Sequence, residues 1–182
     1  MLTLAEVLKQ LDKDYPRNPE FLKKFGPRGI IHSWATDDYD KSVPDARFGP
    51  IGKPKIVDTG LPDAKRFETL DTEFNEMAFK FMEKAIDADK PFFVWLNPSR
   101  MHVFTITPDE YKEEAREYTS YYDPHAAGMI QHDKDIGEVL DWLEAKGITK
   151  NTIVVYTTDN GPEHSTCPYG ATTPFHSEKM ST

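Results

Sequence analysis

Apolar and polar positions alternate along this chain in two distinct periods. Phe67, Leu70, Phe74, Met77, Ala78, Phe81 and Ala85 recur at helical spacing, which predicts a helix over 65–87 with one apolar stripe. Lys90-Pro91 ends it, and Phe92-Phe93-Val94-Trp95-Leu96 follows as a continuous apolar run that suits a strand buried on both faces. Residues 109–120 are charged and read as a solvated helix. A stronger helix is predicted over 124–146, with Met129, Ile136, Val139, Leu140 and Leu143 on one face and Gly147 placed to end it in a left-handed turn. Ile153-Val154-Val155-Tyr156 is a second apolar run, and it opens into Thr157-Thr158-Asp159-Asn160-Gly161. Residues 13–62 are rich in proline, glycine and charge and read as long loops, with one strand near 28–34.

Helices alternating with fully apolar strands give an α/β class with a mostly parallel sheet. In such sheets ligands bind beyond the carboxyl ends of the strands. Two polar loops sit there, one with His102 and one with Asp159 and Asn160. Stable sheets usually have about four to six strands, so this pattern describes part of a larger sheet whose open edges favour self-association.

At 182 residues with 38% hydrophobic and 12% aromatic content, the chain is long and apolar enough to fold around a core. Nothing approaches the roughly 18 consecutive apolar residues of a membrane span. A net charge of -9 argues against a nucleic-acid partner and requires a local positive site for any anionic ligand. Cys167 is the single cysteine, so an internal disulfide is excluded. Leu2 to Lys13 is amphipathic, with Glu6 and Asp12, and lacks a secretory pattern. The expectation is a cytoplasmic protein or a sequence that begins inside its gene.

Asp159 and Asn160 bring a carboxylate and an amide oxygen together at a strand end. Hard oxygen donors of this kind suit calcium or magnesium, although an Asp-Asn-Gly turn has the same composition. Asp37-Asp38 reads as a polar loop. His125, His132, Asp133 and Asp135 read as solvated positions of a helix and not as a metal cluster. His164 and His176 lie between Asp159 and Lys179 with no assigned role.

Residues 151–161, followed by Thr173-Pro174-Phe175 and Glu178-Lys179, resemble the sulfatase family, arylsulfatase-like members of the alkaline-phosphatase superfamily. So do Gly128-Met129-Ile130-Gln131-His132-Asp133 through Gly137, the stretch from Lys90-Pro91-Phe92-Phe93 to Met101-His102, and Tyr15-Pro16 through Trp34. The resemblance implies a three-layer α/β/α sandwich, with 1–62 as a loop-rich segment and 63–182 as the α/β core. It implies that Asp159 and Asn160 ligate a divalent cation, usually calcium. It implies that His102 contacts the sulfate ester or protonates the leaving oxygen, and that Lys179 grips a sulfate oxygen. The chemistry agrees, because sulfate ester cleavage needs positive charge on the non-bridging oxygens and a proton for the departing one. The implied partner is a sulfated small molecule or glycan, and family members are mostly periplasmic or secreted.

The chain departs from the family in its nucleophile. The family's formylglycine arises from a Cys/Ser-x-Pro-x-Arg motif, which this sequence lacks; Leu96-Asn97-Pro98-Ser99-Arg100 has leucine where the reactive residue must stand. The family's early Asp-Asp metal pair and its later Trp-Glu-Gly-Gly segment have no counterpart either. The expectation is a fragment of a sulfuric ester hydrolase that is inactive by itself. The rivals are a phosphodiesterase or phosphonate hydrolase of the same superfamily, which would hold zinc or manganese, and a non-catalytic binding module.

Overall fold

The structure is a computed structural model that describes residues 29–40, 42, 49–102, 105–119, 121, 123–165, 168, 170 and 178–179. The amphipathic stretch at 2–13, Cys167, residues 173–175 and His176 lie outside them. The chain divides into two units, Met1–Pro62 and Asp63–Thr182.

In the first unit, β1 (Ile31–Trp34) pairs antiparallel with β2 (Lys55–Asp58), in a register that sets Ile31 against Asp58 and Trp34 against Lys55. Asp58 Oδ1 fastens the end of the ladder by accepting from the amides of Gly29 (3.1 Å) and Gly60 (2.9 Å). A Cβ on Gly29 would stand 1.9 Å from the Gly60 carbonyl, so only glycine permits this approach. Sequence reasoning expects the first strand and misses the second.

The second unit is built from helices. Asp63 caps α1 (Ala64–Glu68) through its carboxylate and the Arg66 amide at 2.8 Å. The helix predicted over 65–87 breaks at Thr69 and resumes as α2 (Leu70–Asp87). Next come α3 (Asp109–Ala115) and α4 (Pro124–Ala145). Asp123 caps α4 by accepting from the amides of His125 and Ala126, with Pro124 pre-set for the first turn. Gly147 takes the left-handed conformation (φ 69°) after its end, as the sequence predicts. α4 packs on both α2 and α3, and Phe79 stacks on Trp142 with ring centroids 5.2 Å apart.

The three-layer α/β/α sandwich with a mostly parallel sheet is corrected by this architecture. Among the described residues the only sheet is the antiparallel β1–β2 pair, and helices dominate. The runs 92–96 and 153–156 are not strands: they carry no ladder hydrogen bonds among the described residues. An apolar run becomes a buried strand only when neighbouring backbone pairs with it and side chains cover both faces. Here Phe93 is 80% exposed, Trp95 79% and Ile153 92%, so neither condition holds.

The helices bury only part of the apolar stripes predicted for them, Leu70 on α2 and Leu143 on α4, and bury polar neighbours beside them. Leu70, Asp71, Asn75 and Met82 are the buried positions of α2, while Met77 and Phe81 of the expected stripe are exposed. On α4, Ala127, Gly128, Gln131, His132, Asp135 and Leu143 are buried, whereas Met129 and Leu140 face solvent. The reading of His132 and Asp135 as solvated positions is therefore corrected. Beside the buried Leu70, Met82, Ala127 and Leu143, a polar network of Asp71, Arg100 and Gln131 ties the helices to the loop between them, and it uses helix positions that hydropathy alone would turn outward.

Candidate functional site

The loop that carries His102 follows the extended run 92–96 and is pinned from beneath by Asp71 of α2. Asp71 Oδ1 accepts from the Ser99 amide at 2.7 Å and Oδ2 from the Arg100 amide at 3.1 Å. The Arg100 guanidinium then turns inward, within 3.6 Å of the same carboxylate. Its Nε (3.1 Å) and Nη2 (2.8 Å) both donate to Gln131 Oε1, and Nη2 also reaches the Glu68 carbonyl at 2.8 Å. Gln131 Nε2 donates to that carbonyl at 2.8 Å, so both ends of the amide are engaged. A buried charge is tolerated only when it is paired and hydrogen-bonded, and Arg100 meets both conditions. His102 is exposed at the top of this loop; its amide donates to Ser99 O at 3.2 Å and its carbonyl accepts from Thr105 Oγ1 at 2.9 Å. Gly128 of α4 admits the loop, for a Cβ there would meet Thr105 Cγ2 at 2.6 Å and Met101 Sδ at 3.1 Å.

Asp159 and Asn160 follow the second extended run. Asp159 is exposed and Asn160 half-buried. Thr158 Oγ1 donates to Asn160 O at 2.8 Å, and Asn160 Nδ2 donates to Gly161 O at 2.7 Å. Lys179, 19 positions beyond Asn160 in the numbering, returns to this loop: its amide donates to Pro162 O at 3.2 Å. The structure therefore brings the Lys179 backbone to the segment that carries Asp159 and Asn160. Among the described residues no hydrogen bond or ion pair joins His102 to the other three, and its bonds stay within its own loop.

A second buried link runs from α4 to the same segment. His132 Nε2 and the Tyr156 hydroxyl share a hydrogen bond at 2.9 Å, three residues before Asp159. Burial lowers the His132 pKa, and the Arg100 charge pushes the same way against Asp71 and Asp133. His132 Nδ1 and Asp135 Oδ2 are buried without a hydrogen-bond partner among the described residues. Burial, followed by repulsion from Asp71, raises the Asp135 carboxyl to about 6.

Asp159 and Asn160 suit calcium in kind, because both offer oxygen. In number they supply two side-chain ligands where calcium takes about six to eight. No group of three or more His, Cys, Asp or Glu side chains that could hold a metal occurs among the described residues. Asp37 and Asp38 belong to the first unit, where Asp38 lies 3.9 Å from Lys53 and accepts its amide at 2.9 Å. No described helix is long and apolar enough to cross a membrane.

The Sulfatase family profile matches residues 9–182. The chain belongs to the sulfatase family. It is 25% identical over 143 residues to an arylsulfatase of Hemicentrotus pulcherrimus, covering 78% of this chain and 24% of that protein. It is also 25% identical over 91 residues to the uncharacterized sulfatase YdeN of Escherichia coli K12, covering 49% of this chain and 16% of that one. This sulfatase chain thus spans about a quarter or less of the curated relatives it matches. Among solved structures it resembles the PsFucS1 sulfatase of Pseudoalteromonas sp., with a TM-score of 0.61 and 23% identity over 92% of this chain and 30% of that one. That likeness concerns the fold, and it is a likeness to one part of it.

Sequence reasoning missed Asp71, Arg100 and Gln131. The available signal was polar residues on two helix faces at a spacing of four, Asp71 with Asn75 and Gln131 with Asp135.

Proposed function

We propose that this chain carries part of the substrate and metal site of a sulfuric ester hydrolase, and that it does not turn over by itself. The observation that supports the reading is the Lys179 amide bond to Pro162 O at 3.2 Å, which joins the proposed sulfate-gripping lysine to the Asp159–Asn160 loop. In this reading Asp159 and Asn160 give oxygen ligands to calcium, with Asn160 engaged through its nitrogen and using its oxygen for the ion. Bound calcium would supply positive charge towards the sulfate oxygens. Lys179 adds an ammonium to a protein whose net charge of -9 otherwise repels a sulfated ligand. His102, exposed on its pinned loop, donates a hydrogen bond or a proton at the ester oxygen. The sequence holds no Cys/Ser-x-Pro-x-Arg motif, so binding without turnover is the expected behaviour.

The experiment is titration calorimetry with 4-nitrophenyl sulfate in calcium chloride, together with an assay for released 4-nitrophenol. Saturable binding that Lys179→Ala abolishes, with no release, supports the reading. Release that Lys179→Ala abolishes contradicts the incompleteness of the site. Preference for a phosphate diester in the presence of zinc transfers the assignment to phosphodiester chemistry.

A further inference from the structure

Two adjacent residues of α4 reach the two separate segments that carry the proposed site. Gln131 is 2% exposed and grips Arg100, two residues before His102. His132 is 8% exposed and holds the Tyr156 hydroxyl, three residues before Asp159. Consecutive helical side chains diverge by about 100°, so one turn of helix can serve two different partners. We propose that Gln131 and His132 are positioning residues that fix the His102 arm and the Asp159–Asn160 arm on a common helix, a role that rests on the sulfate-site reading above.

The geometry on each side is specific. Arg100 is held by its amide on Asp71, by its guanidinium on Gln131, and by the Glu68 carbonyl that Gln131 itself also reaches. Only Met101 lies between this anchored residue and His102. On the other arm Tyr156 is 67% exposed, yet its hydroxyl turns back onto buried His132. Extended chain advances roughly 3.3 Å per residue, so the backbone of the anchored Tyr156 stands within about 10 Å of the Asp159 backbone. The run that bears Tyr156 has no ladder bonds among the described residues, and this tie locates it where no described sheet does. Reactions of this kind lose about 100-fold for a misplacement of roughly 1 Å, so a helix that sets both arms at once bears directly on the site.

The test separates the arms. Tyr156→Phe removes one hydroxyl from an exposed side chain; Gln131→Leu removes both amide contacts, and Gln131→Glu retains an acceptor for Arg100. NMR of the ligand-free, isotope-labelled chain reads the amides of Asp159 and Asn160 on one arm, and the Arg100 amide and His102 imidazole on the other. Tyr156→Phe should move the Asp159 and Asn160 signals alone and weaken calcium binding, with calcium chloride as the probe, by about 2- to 10-fold, the value of one hydrogen bond. Gln131→Leu should move the Arg100 and His102 signals alone, and Gln131→Glu should restore them. General loosening of the fold would move both arms together, and that result overturns the proposal, as does an unchanged Asp159–Asn160 arm in Tyr156→Phe. If Gln131→Leu does not fold, Tyr156→Phe decides. Variants that show the arm-by-arm pattern, together with a wild-type chain that fails to bind 4-nitrophenyl sulfate, remove the sulfate-site reading, and with it the functional meaning of the brace.

Discussion

Asp71→Ala is the perturbation with the largest calculable consequence. Asp71 is 2% exposed and Arg100 9%, with their charged groups 3.6 Å apart. Removing the carboxylate leaves a guanidinium buried without its counter-charge, which costs about 3–5 kcal/mol. The amides of Ser99 and Arg100 also lose their acceptor, at about 1 kcal/mol each. Gln131 and the Glu68 carbonyl remain on Arg100 and offset part of this, so the net loss should be about 3–5 kcal/mol. For a unit of this size that lowers Tm by roughly 12–20 °C. Urea unfolding and calorimetry measure it. The double variant Asp71→Ala with Arg100→Met removes both charges and should recover about 2–3 kcal/mol of the loss. A cost below about 1 kcal/mol for Asp71→Ala, or no recovery in the double variant, refutes the claim that this pair organises the His102 loop.

Asp135→Asn should stabilise the protein at alkaline pH. The folded carboxyl titrates near 6 against 3.8 for the ordinary group, so the folded state keeps its proton where the unfolded state has lost it. Wild-type stability therefore falls as pH rises from about 4 through 6, by up to about 3 kcal/mol. The variant should be about 1–3 kcal/mol more stable at pH 8, with the gap closing at pH 4 in urea unfolding. His132 acts in the opposite direction: its folded pKa lies below 6.5, so its contribution is present above 6.5 and declines as pH falls through the lowered folded value. Its imidazole proton signals should titrate with a midpoint below 6.5; a midpoint at or above that contradicts the buried environment. Gly128→Ala should cost about 1–3 kcal/mol and shift the Met101 and His102 signals, because the new methyl meets Thr105 and Met101; an unchanged loop contradicts that packing.

What the sequence made legible follows the strength of each local rule. Pro124, Asp123 and Gly147 mark the ends of α4 because capping and left-handed turns are decided by a few adjacent residues. The runs 92–96 and 153–156 misled because apolarity records only that a strand could be buried, while its formation depends on backbone partners that those residues do not contain. β2 escaped notice because about twenty residues separate it from β1, and short turn signals do not reach so far. Asp159, Asn160 and Lys179 stood out through resemblance and strand-end chemistry. Asp71, Gln131 and His132 did not, since a polar residue on an amphipathic helix ordinarily faces water, and only the buried guanidinium of Arg100 gives Asp71 and Gln131, and the Tyr156 hydroxyl gives His132, a reason to turn inward.

A crystal structure of the chain grown in calcium chloride with 4-nitrophenyl sulfate tests most directly whether Asp159, Asn160, His102 and Lys179 form one site. Calcium should lie within about 2.3–2.6 Å of oxygens from both Asp159 and Asn160. The Lys179 ammonium and the His102 ring should stand at hydrogen-bonding distance, about 2.7–3.2 Å, from the sulfate group. Calcium bound elsewhere, or a sulfate seated away from His102 and Lys179, would contradict the proposed site.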